Sequence, residues 1–370
     1  MTHHHLDRFR VKMEPLSARS NRFGIETTAV DPSREPGPIS AAAGEAIAEL
    51  AARVRTARQR DRPVICAFGA HAIKNGLAPV LVRLISDHWI THLATNGAGI
   101  IHDWEFSYLG ESCEDVARMV TEGRFGNWEE TGFYINLALN IGAYEGRGYG
   151  ESIGAMIHTQ GLDIPSEDDL EGAVVAHLAH DPRQSAAAAD LLWVVRKFEL
   201  APGRLDIPHP WRRYSAQGNA FELGVPLTGH PMIGHDIIYN HPMNHCACLG
   251  RGAERDFLTF AEAVSRLDGG GVYISIGSAV MSPMIFEKSL SMAQNLAIQR
   301  GQHIDDHYIA IVDLASSSWD WSEGEPPETD PAYYLRFNKT FSRMGGTLRY
   351  VQADNRDFLL ALTRELGGMG

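Results

Sequence analysis

Residues 63–99 read PVICAFGAHAIKNGLAPVLVRLISDHWITHLATNGAG. Pro63 to Phe68 is a short continuous apolar run that ends at Gly69, and Leu77 to Ile85 spaces its apolar residues as a helix does. Trp89 to Thr95 is a second run that breaks at Asn96-Gly97-Ala98-Gly99. Strands that are apolar throughout, rather than alternating, are buried on both faces, which is the condition of a parallel sheet covered by helices. The second half repeats the alternation. Gly224-Val225-Pro226-Leu227 precedes a His/Gly-rich loop, Val272 to Ile276 precedes Gly277-Ser278, Tyr308 to Leu314 precedes Ser316-Ser317-Ser318, and Leu348 to Val351 precedes a helix from Asn355 to Leu366. The pattern predicts an α/β fold, a Rossmann-like, mostly parallel sheet flanked by helices. In such folds ligands sit beyond the carboxyl ends of the strands.

Working outward, AAAGEAIAELAARVRTARQR, Ala41 to Arg60, predicts a helix from its alanine content and apolar spacing. Residues 1–40 mix charges with Pro32, Pro36 and Pro38 and read as an extended arm. Residues 41–370 read as a single α/β catalytic domain with a helical insertion at about 125–220, exemplified by Ser185 to Leu192; Pro202 to Pro210 reads as a surface connection. The 370 residues are 44% hydrophobic and 21% charged, ample for a large core. A net charge of -13 lacks the basic footprint that nucleic acids and anionic membranes require, so small molecules or proteins are the expected partners. No apolar run approaches the roughly 20 residues that span a bilayer, and the first residues lack a signal pattern, so the expected location is the cytoplasm. Cys66, Cys113, Cys246 and Cys248 are too few for a disulfide framework and are expected as reduced thiols.

Four loops carry chemistry. Asn96-Gly97-Ala98-Gly99 follows a strand, where glycines let the backbone approach a ligand, although His102 stands where a dinucleotide fingerprint would have its third glycine. His102 and Asp103 form an adjacent polar pair placed for proton transfer, and His235 with Asp236 forms a second. Around the latter, His235, His241 and His245 are metal-ligand types without a compact zinc spacing, and no metal is expected of them in the leading reading. Gly69-Ala70-His71-Ala72-Ile73-Lys74 adds a cation to the first strand-to-helix loop. Lys339 lies between aromatic residues with Arg336 and Arg343 nearby, surroundings that lower a lysine's proton affinity and favour attack on a carbonyl or imine.

At these loops the sequence resembles deoxyhypusine synthase, an NAD-dependent family that cleaves spermidine and transfers its aminobutyl group through an enzyme-lysine imine. The likeness runs in order along most of residues 63–366. Phe68 through Ile85 corresponds to the strand, loop and helix around the family's Thr-Ser-Asn turn. Gly97 through Asp103, followed by Tyr108-Leu109-Gly110, is similar to its Ala-Gly-Gly-Val-Glu-Glu-Asp segment and Tyr-Leu-Gly. Val225-Pro226-Leu227-Thr228-Gly229 resembles Pro-Ala-Leu-Thr-Asp-Gly, and Ser275-Ile276-Gly277-Ser278 resembles Leu-Gly-Gly-Gly. Pro331 precedes Lys339 by eight residues, as a proline precedes the family's imine-forming lysine, and Ala353-Asp354 resembles an adenine-side pair.

The resemblance implies NAD held across Gly69, Thr95, Asn96, Gly97, Gly99, Gly277, Ser278, Asp313, Ser316, Ala353 and Asp354. It further implies Lys339 as imine former, with proton movement by His102 and His235 assisted by Asp103 and Asp236, and a homo-oligomer, a tetramer in the family. Ile101 and His102 replace the consecutive glutamates that hold the polyamine, and Ser282-Pro283 falls where the family has its catalytic histidine. These departures imply a transferase-like relative acting on a different small amine rather than deoxyhypusine synthesis itself. Two other classes compete: an NAD-independent hydrolase or lyase using the His/Asp pairs, with a metal at His235, His241 and His245, and a non-enzymatic nucleotide-sensing module.

Overall fold

The computed structural model describes residues 3–368. Six strands form the central sheet: β1 (Val64–Phe68), β2 (His92–Asn96), β3 (Leu227–His230), β4 (Gly271–Ile276), β5 (His307–Asp313) and β6 (Thr347–Gln352). All neighbours are parallel and the order is β6-β5-β4-β1-β2-β3. This is the doubly wound Rossmann order, which reverses direction between β1 and β4.

The main helices are α1 (Ala41–Gln59), α2 (Ala78–Ser86), α3 (Gly97–Leu109), α4 (Cys246–Ser265), α5 (Met281–Ile298) and α6 (Asn355–Leu366). Every residue of β1 is buried, and its side chains divide by period two between the faces. Val64, Cys66 and Phe68 join a core with Leu50 and Val54 of α1, Leu81 and Leu84 of α2, and Phe358 of α6. Ile65 and Ala67 join Phe260 and Val264 of α4 and Phe286 and Leu290 of α5. The continuous apolar runs of the sequence thus arise because both faces are covered.

Three local expectations need correction. β2 starts at His92 rather than Trp89, because the amides of Trp89 and Ile90 close the end of α2 on the Leu84 carbonyl. β3 begins at Leu227 and takes in His230, which the sequence assigned to a loop. Gly224 at φ 65° makes the preceding turn, and His230 is buried with its ring against Thr228 Oγ1 at 2.9 Å. Residues 202–210 are not a plain connection: Gly203–Asp206 pairs antiparallel with Gly161–Ile164. The excursion between β2 and β3 is helical, with Glu129–Glu145, Tyr149–Thr159, Glu167–His177, Pro182–Lys197 and Ala216–Glu222. Residues 3–40 pack onto this body, burying Leu16, Ile25 and Val30 and passing Arg8 to the Tyr239 carbonyl and Asn244.

At the order reversal β1 and β4 remain hydrogen-bonded past their ends, the Gly69 amide donating to the Ile276 carbonyl at 3.0 Å. A Cβ on Gly69 would stand 2.2 Å from the Gly277 carbonyl oxygen, a backbone atom with no flexible side chain to yield. Gly69→Ala is therefore expected to cost about 3 kcal/mol or more by overpacking. Chemical denaturation of the variant checks this; a midpoint equal to that of the parent would contradict it.

Candidate active site

The carboxyl ends of β1, β2 and β3 surround a cavity of about 180 Å³. Lys74 reaches it from the end of a short helix, Ala70–Lys74, where the sequence reads as a loop, Ala98, Ile101, His102 and Glu105 from the first turns of α3, and His235 and Asp236 from the segment after β3. Arg19 from the arm, Cys113 and Glu114 complete the wall. Three of the five residues expected to be catalytic, His102, His235 and Asp236, are therefore brought together, along with Lys74.

His102 is oriented by a chain of hydrogen bonds. Ser112 Oγ donates to Glu105 Oε2 at 2.5 Å and lies 2.8 Å from His102 Nδ1. Because the single hydroxyl proton goes to the carboxylate, Nδ1 must be the donor to Ser112, which leaves the Nε2 lone pair as the ring's basic site. Burial pushes the imidazole down to about 4, opposed by Glu105 and reinforced by Lys74 and Arg19. At neutral pH it is an uncharged acceptor. Glu105 is itself held by Arg19 Nη1 at 2.6 Å and by the Thr131 hydroxyl at 3.1 Å. Burial alone would raise its carboxyl, but the guanidinium overcomes this and holds it below the ordinary range. Cys113 has φ 73°, an uncommon backbone region for a non-glycine residue, and its Sγ is 3.8 Å from His102 Nδ1.

Asp236 stands over the bare backbone of Gly97, where a Cβ would come within 2.1 Å of Oδ2. Burial pushes its carboxyl up to about 7. Three buried polar atoms on cavity residues have no hydrogen-bond partner: Arg19 Nη2, Glu114 Oε2 and Asp236 Oδ2. Buried polar atoms are normally satisfied, so three unmet polar atoms, one donor and two acceptors, on residues that line one cavity single it out as the candidate site. Burial also raises the Glu114 carboxyl, offset in part by its bond from Trp128. His235 is exposed at the rim.

The other two expected residues lie elsewhere. Asp103 is buried and accepts from Ser215 Oγ, the Ala216 and Gln217 amides and Gln217 Nε2, so it caps the helix Ala216–Glu222. Lys339 is outside the cavity, paired with Glu325 at 3.5 Å and stacked on the Tyr333 ring at 3.5 Å. His235, His241 and His245 do not converge on one point: His235 lies exposed at the cavity rim, and His241 is engaged by Glu129 and by the Met243 amide. His245 instead joins Asp190 and Cys248 in a group of metal-ligand types within 4.8 Å of one another, with the Arg251 guanidinium paired to Asp190.

The residues expected to hold NAD divide. Gly97 makes room for Asp236, and Gly99 for Thr95 Oγ1, which a Cβ would meet at 2.2 Å; an acidic carboxylate over Gly97 is no phosphate cradle. Asn96 caps α3 by accepting from the Gly99 amide, and Thr95 donates to the Phe68 carbonyl. Ser278 accepts from the Ser282 amide near the start of α5, Asp313 from the Ala315 amide and Asp354 from the Arg356 amide. Gly277, by contrast, has φ 53° and open space where a Cβ would point. Ala353 and Asp354 border a groove of about 650 Å³ with Ser317, Leu314 and Ser40. Gly277 and the groove at Ala353 and Asp354 are thus open, whereas Gly97 is covered by Asp236.

Sequence reasoning missed Arg19, Ser112, Cys113 and Glu114 and left Glu105 without a role. Glu105 could have been found as the i+3 neighbour of His102 on one helix face. Arg19 could not, since eighty-odd residues separate it from Glu105 and nothing local links them.

No protein-family model and no curated protein sequence matches the chain. Among solved structures it is similar to unliganded AgrE, at 13% identity over 90% of this chain and 34% of that one, with a TM-score of 0.43. It is similar at 13% identity to ArgZ, an arginine dihydrolase from the ornithine-ammonia cycle in cyanobacteria, over 88% of this chain and 33% of that one, with a TM-score of 0.40. A conserved putative LOR/SDH protein from Methanococcus maripaludis S2 is similar at 12% identity over 91% and 74% of the two chains, with a TM-score of 0.44. AgrE has also been solved in a ternary complex with ornithine and NAD+. The chain spans about a third of the length of AgrE and ArgZ. None of these likenesses assigns a ligand or a residue role to this chain.

Proposed function

We propose that the chain is an NAD-dependent enzyme that acts on the carbon–nitrogen bond of a small amine held between Asp236 and His102. The observation that carries this reading is the pair of unpartnered, buried carboxylate oxygens, Glu114 Oε2 and Asp236 Oδ2, in a cavity at the strand ends of a Rossmann-ordered sheet. The sequence reading expected the amine-binding charge to be missing with the glutamate pair; Glu114 and Asp236 supply it from other positions.

NAD, when bound, supplies the hydride acceptor. Gly277 and Ser278 would meet it at the reversal, and Ala353 and Asp354 in the groove beyond. The protein's own groups handle the amine. Its N–H groups donate to Glu114 Oε2 and Asp236 Oδ2, and Asp236, ionised, accepts the proton that must leave before the C–N bond can be oxidised. His102 Nε2 accepts a second hydrogen bond and fixes the orientation. Where a fragment is transferred, the acceptor is a second amine, whose neutral nitrogen attacks the imine carbon, forming one C–N bond as the bond to the first amine breaks and a proton passes to the departing nitrogen. Lys339, the imine former implied by the resemblance to deoxyhypusine synthase, is committed to Glu325 and Tyr333 outside the cavity.

The test is NAD+ reduction, followed by absorbance, against a panel of small amines. Asp236→Asn is expected to lower turnover by about 100-fold or more, the usual worth of a positioned base. As a base Asp236 must be ionised, so turnover of the parent should rise as the pH climbs through about 7, and this limb should vanish in the variant. Unchanged turnover in Asp236→Asn would overturn the assignment. Lys339→Met should retain activity within a few-fold of the parent; abolished turnover in a folded Lys339→Met protein would return the covalent step to that residue.

A further inference from the structure

We infer that the substrate carries a carboxylate as well as its amine, and that Arg19 and Lys74 read it, so that the ligand is an amino acid and not a polyamine. This rests on the amine site proposed above and adds to it the opposite pole. Arg19 belongs to the arm, yet the residue is only 6% exposed. Its guanidinium is fixed at two corners, Nε donating to Asn21 Oδ1 at 2.7 Å and Nη1 to Glu105 Oε1 at 2.6 Å, and its Cζ lies 5.7 Å from the centroid of the Trp128 ring. The third corner, Nη2, is buried with no acceptor.

Glu105 does not serve that corner, because its two oxygens are already taken by Arg19 Nη1, Thr131 and Ser112. A buried guanidinium N–H without a partner costs free energy that an incoming carboxylate oxygen would recover as a charge-assisted bond. Lys74 lines the same cavity and has no ion-pair partner among the described residues. The cavity presents charges of both signs, which supports a ligand with a negative pole as well as a positive one. Arg19 is paired with Glu105, and Lys74 lines the cavity together with Glu114 and Asp236. A diamine with two positive charges would leave Nη2 unmet and face both cations. An amino acid satisfies Nη2 and Lys74 with its carboxylate and the two carboxylate oxygens with its ammonium.

The experiment is calorimetric titration of the full chain, in the presence of NAD+, with matched pairs that differ by one carboxylate: L-ornithine against putrescine, and L-lysine against cadaverine. For at least one pair the amino acid is expected to bind about tenfold or more tighter than its diamine, the worth of one charged hydrogen bond. Arg19→Met should bring that ratio close to one while sparing the diamine. An Arg19 that only braces the wall would leave the ratio unchanged. Because Arg19→Met strips a buried carboxylate of its partner and can fail to fold, Lys74→Met at a partly exposed position provides the second variant, also expected to lower the ratio. Diamines binding as tightly as amino acids, or a ratio unaffected by the substitutions in folded protein, would overturn the carboxylate reading and leave the amine site standing. Binding of neither member of any pair would overturn both.

Discussion

The Glu105 carboxylate is the interaction on which the site depends. It lies fully buried on α3, and burying a charge is tolerated only when it is paired and hydrogen-bonded. Arg19, Thr131 and Ser112 meet that requirement, and each brings a different part of the chain to one point. Arg19 draws the arm across the body, Thr131 comes from the helical excursion between β2 and β3, and Ser112 passes the constraint to His102. One carboxylate thereby fixes a tautomer, an arm and a wall of the cavity. This explains why the arm packs as an integral part of the fold.

The sheet supplies a second, independent constraint. Its order reverses between β1 and β4, so the loops after those strands diverge and leave an opening at their carboxyl ends. The close approach of Gly69 to the Gly277 carbonyl sets the width of the opening there, and the next strand ends carry the groove at Ala353 and Asp354. The small polar cavity lies beyond the carboxyl ends of β1, β2 and β3. A larger cavity of about 560 Å³ opens near Arg255 and Gln217; its Asp256 carboxylate is occupied by the Gly150 and Gly229 amides at 2.8 and 2.6 Å, and its lining residue Gln217 has a single unmet atom, Oε1, where the smaller cavity's residues have three. The site is therefore better marked by unmet polar atoms than by volume.

Much of the architecture was legible in the sequence because a doubly covered parallel strand leaves a strong local record. β1, β4 and β5 fall within one residue of the expected runs, and the helix Asn355–Leu366 was read in full. β3 was displaced by three residues because its buried polar pair, Thr228 and His230, looks like a loop when read without its neighbours. The site was half legible. His102, His235 and Asp236 sit at strand ends and could be named from that alone. Asp103 has the same local appearance but turns the opposite way on α3, toward the helix at Ala216. Gly97 and Gly99 looked like a phosphate turn, and only the approach of Asp236 and Thr95 distinguishes them from one. Arg19 and Glu114 act through long-range packing, which no local pattern encodes.

The central claim is that a small amine occupies the cavity between Asp236 and His102 beside a dinucleotide at the strand-order reversal. The most direct measurement is a crystal structure of the protein grown with NAD+ and L-ornithine. The account predicts ligand density within hydrogen-bonding distance of Asp236 Oδ2 and Arg19 Nη2, and dinucleotide density along Gly277 and Asp354. Ligand density beside Lys339, with the Asp236 cavity filled only by water, would contradict it.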